Sequence, residues 1–132
     1  MTELQLEFIR EKYKWNSENL LLINFVHASE RCFYNNNLNL ENKSLVWKEF
    51  YSKVDLYGVL NIYVYSDSIA AKYIINNHTV FQDFDNFLLN QFFNSKKECY
   101  GVLIVNSAGK YEMKEGEYAP SEIENFIKKL KK

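Results

Sequence analysis

The stretch from Leu20 to Val26 reads LLLINFV, apolar at every position except Asn24. A run with no polar alternation reads as a strand buried on both faces, as in a sheet covered by helices on either side. It is far short of the roughly 20 apolar residues that a bilayer span requires. The 132 residues around it suit one hydrophobic core, since single cores usually span about 100–150 residues. The expected organisation is therefore one domain over residues 1–132, with residues 1–17 as an N-terminal helical extension. Hydrophobic residues make up 47% and charged residues 25%, with one Pro and four Gly, which is globular rather than disordered. Lys plus Arg number 16 against 17 Asp plus Glu, a formal charge of -1. That balance supplies no general attraction for nucleic-acid phosphates or anionic lipid.

The elements can be read in order. Thr2 followed by Gln5 has the form of a capping box, and Leu4, Phe8 and Ile9 recur at helical spacing, so a helix to about Tyr13 is expected. Asn16 to Asn19 breaks the chain before the buried strand, and His27 to Asn39, with Cys32 and the run Asn35-Asn36-Asn37, reads as a loop. Leu45, Val46, Trp47, Phe50, Tyr51 and Val54 form a helical stripe from about Asn42, and Gly58 follows as its exit turn. From Val59 to Ser66, Leu60, Ile62 and Val64 alternate with Asn61, Tyr63 and Tyr65, a strand that pairs in parallel with the first through a right-handed crossover. Two short helices, Ser68 to Asn76 and Phe84 to Phe93, are expected to flank Thr79-Val80-Phe81. Val102 to Val105, the turn Asn106-Ser107-Ala108-Gly109 and Lys110 to Glu115 read as a hairpin. Pro120, Ser121 and Glu124 then announce a helix with Ile123, Phe126, Ile127 and Leu130 on its core face and lysines at its C-terminal end.

Strand, cysteine loop, crossover helix, parallel strand, hairpin and final helix is the element order of a thioredoxin fold. Four stretches carry a closer resemblance to its redoxin branch, typified by TlpA-like thiol-disulfide reductases: LLLINFV at 20–26, LNIYVYSD at 60–67, TVFQDFDNFLLNQF at 79–92, and the hairpin and helix from Val102 to Lys132. Together they span roughly residues 18–132. The resemblance implies an α/β, three-layer thioredoxin-like fold, a central mixed sheet of four or five strands with a C-terminal hairpin and helices on both faces. It implies thiol-disulfide exchange with protein thiols or disulfides as the activity, with no cofactor and no metal.

This chain departs from that family where the chemistry resides. The family's Trp-Cys-x-x-Cys motif is replaced by His27-Ala28-Ser29-Glu30-Arg31-Cys32, with one sulfur where two are expected. Its cis-proline before the hairpin aligns at or near Tyr100, where a cis bond would cost about 2.5–4 kcal/mol, so a trans bond and an altered substrate groove are expected. In the implied fold that loop packs against the active-site loop, which brings Cys99 near Cys32 across 66 intervening residues. The implied site is Cys32 as nucleophile and Cys99 as resolving thiol, with Tyr100 and Gly101 in the substrate loop and His27 and Arg31 favouring the thiolate. Inert, partly buried thiols are the plainer reading of both cysteines. A catalytically inactive thioredoxin-fold module that binds a protein partner is the alternative function, and a single-Cys thiol peroxidase is a further one. Two isolated histidines, His27 and His78, form no metal-ligand cluster, and Asp67 and Asp83 read as strand-end or turn caps. The acidic and basic start of the chain, Glu3 to Lys14, lacks the form of an export signal, so the expected compartment is the cytoplasm, or the periplasm where a signal has been removed.

Overall fold

The computed structural model describes residues 1–27, 46–66, 69, 71–95 and 98–131. Helix α1, Glu3–Lys12, starts as its sequence dictates. The Thr2 hydroxyl accepts from the Gln5 amide and the Gln5 side chain accepts from the Thr2 amide, satisfying two donors that no helical turn can reach. Strand β1, Leu20–Val26, follows, buried at all seven positions. Residues 46–51 are helical and are called α2; the start expected near Asn42 lies outside the described residues. The stripe does not continue as helix to Val54, because Ser52, Lys53 and Val54 close tighter turns onto Glu49, Phe50 and Tyr51. Gly58, at φ +72°, makes the turn into strand β2, Val59–Tyr65.

The sheet order is β3-β2-β1-β4-β5, with β3 at Val80–Gln82, β4 at Tyr100–Asn106 and β5 at Tyr111–Glu115. β1 pairs in parallel with β2, from Leu20 opposite Val59 to Val26 opposite Tyr65, and β2 in parallel with β3. On its other side β1 pairs antiparallel with β4, which places Val26 opposite Tyr100. Strand β1 is thus central, and its residues alternate between two apolar layers. Leu21, Ile23 and Phe25 join Ile9, Tyr13, Phe81 and Leu88 on one face. Leu20 and Leu22 join Tyr51, Val54, Ile123 and Ile127 on the other. Both faces are covered, which is why the strand has no solvent side to mark with polar residues.

Two elements differ from expectation. Residues 71–74 form turns instead of part of a helix over Ser68 to Asn76. Ile69 and Tyr73 are exposed, so their helical spacing marks no core face, and the Asn76 side chain takes the amides of His78, Thr79 and Val80, locking a turn. The helix over Phe84 to Phe93 is divided into a 3-10 turn, Phe84–Asn86, and helix α3, Phe87–Gln91, because Asp85 and Asn86 both sit in the left-handed region. The buried Asp83 carboxylate accepts from the Leu88 and Leu89 amides and so starts α3. Burial pushes its pKa up, against the pull of those two donors. Helix α4, Pro120–Lys131, begins two residues earlier than a Ser121–Glu124 box would place it. Pro120 takes the first helical position, where its missing N–H is no loss, and Glu122 reaches back to the Ala119 amide.

Candidate functional site

The pairing of β1 with β4 continues beyond both strands: the His27 amide donates to the Cys99 carbonyl at 2.8 Å. The hairpin strand therefore starts at the mouth of the first buried strand. Cys99 is disulfide-bonded. It is half-buried against Val26, Tyr65 and Ala71, and Tyr100 beside it is half-buried as well. All peptide bonds among the described residues are trans, the Cys99–Tyr100 bond included. Gly101 is buried as the second residue of β4, opposite Phe25. The other expected site residues, Cys32 and Arg31, lie outside the described residues, as does Asp67. His78 is exposed in the turn that Asn76 organises, away from this mouth. No group of three or more His, Cys, Asp or Glu suited to a metal ion occurs among the described residues. No helix among them is long and apolar enough to cross a membrane.

His27 packs its ring edge-on to Phe25, and both ring nitrogens are buried with no hydrogen-bond partner among the described residues. Desolvation lowers the pKa, partly opposed by the Glu115 carboxylate. The imidazole is accordingly neutral at pH 7, so it brings no positive charge to a nearby thiolate. The sign for stability follows. A depressed pKa in the folded state gives stability that is full above the ordinary value of about 6.5 and is lost as pH falls below it, because the unfolded chain protonates first. Urea midpoints at about pH 7.5 and about pH 5 should therefore differ less in His27→Gln than in the unsubstituted chain. An unchanged difference would remove His27 as its source.

Below Tyr100 lies a polar cluster that the sequence reading passes over. Asn24 is completely buried in the centre of β1. Its side-chain amide donates to Asn61 Oδ1 at 2.7 Å and to the Ile62 carbonyl at 2.9 Å. Its Oδ1 accepts from the Tyr51 hydroxyl and, at 2.7 Å, from the Tyr118 hydroxyl. Asn61 in turn donates to the Tyr63 hydroxyl. Burial raises the pKa of Tyr51, Tyr63 and Tyr118, which keeps these phenols protonated and able to donate. The signal available in the sequence was the single amide inside LLLINFV. Its partners come from α2, β2 and the segment before α4, so no local pattern names them.

Above this cluster opens a cleft of about 250 Å³ lined by Val46, Trp47, Phe50, Tyr100, Glu117 and Tyr118. Trp47 stands at its centre. Its ring lies 5.9 Å from Phe50, 6.1 Å from Tyr118 and 6.3 Å from Tyr100 between centroids. The site thus combines a disulfide-bonded cysteine, a neutral imidazole and an aromatic cleft, all at one end of the parallel strands.

No protein-family model matches this chain, and no curated protein does. Among solved structures, StoA from Bacillus subtilis superimposes with a TM-score of 0.52 at 12% identity, with 86% of each chain covered. The fold is thioredoxin-like. A secreted Mycobacterium tuberculosis disulfide oxidoreductase, described as homologous to E. coli DsbE, superimposes at 0.48 with 13% identity, over 90% of this chain and 98% of its own. In this thioredoxin-like chain the sequence holds no Cys-x-x-Cys, and the described sulfur, Cys99, stands immediately before β4.

Proposed function

We propose that this chain is a thiol-disulfide exchange protein whose redox pair is non-local, Cys32 with Cys99. The observation that carries the reading is the disulfide-bonded Cys99 held at the mouth of β1 by the His27 amide. The chain has one other cysteine, Cys32, five residues after His27. An extended chain covers at most about 3.3–3.6 Å per residue, so Cys32 is within reach of that mouth. Disulfide bonding of Cys99 favours exchange over the single-Cys peroxidase, which has no use for a second sulfur.

In the reductive direction the Cys32 thiolate attacks one sulfur of a substrate disulfide. A Cys32–substrate bond forms, the substrate S–S bond breaks, and the released thiolate takes a proton from water. Cys99, deprotonated, then attacks the Cys32 sulfur, forming the internal disulfide and expelling the second substrate thiolate. The substrate gains two electrons and the cysteine pair loses two. On this reading Arg31 favours the thiolate by charge, the neutral His27 exchanges a proton, and Tyr100 and Gly101 set the substrate loop.

Equilibration in glutathione redox buffers, followed by alkylation and mass measurement, tests the reading. Half-oxidation of one intramolecular pair is expected within the range of exchange proteins, about −120 to −270 mV. Cys99→Ser is expected to accumulate a mixed disulfide on Cys32 and to lose turnover of a test disulfide. A potential below about −300 mV, or no mixed disulfide on either single-cysteine variant, would overturn exchange. The thioredoxin-like fold would then serve as a binding module with a structural cross-link.

A further inference from the structure

We propose that the cleft beside Tyr100 binds a peptide segment that carries a cationic side chain, lysine or arginine, and thereby selects the substrates of the exchange site. The proposal names the substrate class of that site and rests on the exchange reading for its bearing on turnover. At about 250 Å³ the cleft is smaller than the roughly 300–1,000 Å³ of pockets that enclose a drug-sized ligand. It suits one long side chain and its peptide unit. The described walls offer Trp47, Phe50, Tyr100 and Tyr118, whose rings attract a cation through their negative faces. Phe50 and Tyr100 meet Trp47 at 73° and 80°, so the cleft presents rings in crossed orientations instead of one flat apolar wall.

Charge complementarity points the same way. Glu117 stands exposed at the rim, and no Lys or Arg is among the described lining residues. On the adjoining side, Glu98 and Glu115 lie with Tyr100 around His27. Among the described residues the ion pairs are Lys114 with Glu122 and Lys129 with Glu112, which leaves these three carboxylates without a cationic partner. The Trp47 indole N–H is buried and has no acceptor among the described residues. A peptide carbonyl would supply one, a need that a bare cation does not meet. The bound segment therefore places a backbone carbonyl at Trp47 and its charged side chain among the rings, next to Cys99.

Calorimetric titration of the intact chain with two cysteine-free peptides, identical except for lysine or norleucine at one position, tests the proposal. The lysine peptide should bind about five- to thirtyfold more tightly. Glu117→Gln, at an exposed position, should narrow that preference by about two- to fivefold. Equal affinity for the two peptides, binding of neither, or an undiminished preference in Glu117→Gln would overturn it. Since the peptides hold no sulfur, failure here leaves exchange chemistry standing. Loss of exchange with the lysine preference intact would instead remove the redox reading alone.

Discussion

The Asn24→Leu substitution is expected to lower the free energy of unfolding by about 3–5 kcal/mol, measured by urea denaturation. Leucine has nearly the same shape, so the loss arises from hydrogen bonding and not from a cavity. Asn24 uses both of its amide hydrogens and accepts two phenol hydroxyls, and all of this takes place at a fully buried position. The substitution removes the acceptor that the Tyr51 and Tyr118 hydroxyls share, leaving them only their contact with each other, and takes a donor from the Asn61 side-chain oxygen; each buried group left unpaired costs about 1–3 kcal/mol. Adding Tyr51→Phe and Tyr118→Phe should restore more than half of the loss, because deleting both sides of a buried network is far cheaper than deleting one. A loss below about 1 kcal/mol in the single variant would mean that the hydroxyls find other acceptors.

Gly101→Ala is expected to cost about 2–3 kcal/mol, although the residue lies in a strand of ordinary backbone geometry. A Cβ there would fall 2.5 and 2.6 Å from two ring carbons of Phe93, with the Lys114 carbonyl 3.3 Å away. The ring cannot retreat. Phe93 is 2% exposed and stacks on Phe25 at 4.6 Å between centroids, with 9° between planes. Either the ring leaves that stack or β4 moves away from β1, and the second outcome would draw the Cys99 carbonyl off the His27 amide. Unfolding measurements on Gly101→Ala, Phe93→Leu and the double variant would show the difference. A smaller ring-free side chain at position 93 should make the added methyl nearly harmless, so simple additivity of the two costs would exclude the collision as the cause.

Where one local pattern determined the structure, the sequence could be read directly. Thr2 and Gln5 form their box, LLLINFV is buried on both faces, and Leu60, Ile62 and Val64 all join one layer. The mixed sheet with helices on both faces and the thioredoxin-like architecture followed from the order of such elements. Expectation failed where a polar side chain competed with the helical pattern. Asn76 captures three amides beyond the expected helix, and Asp85 and Asn86 break the next one with left-handed backbone. At the site, the approach of Cys99 to the mouth of β1 was legible from topology, because one antiparallel pairing produces it. The tyrosines around Asn24 were not, since positions 51 and 118 reach it only after α2 and the segment before α4 pack on the sheet.

The uniform burial of β1 has a consequence for how the chain finds its fold. A strand with the usual alternation of oily and wet residues is told by water which way to face. All seven residues of β1 are shielded, so water gives it no such instruction, and a slide by one position would exchange the two layers at little cost in apolar contact. The lone amide at position 24 supplies the missing marker: its partners wait on one side only, and a misplaced strand would set it among hydrocarbon. Here one polar atom group acts as the address of the whole sheet.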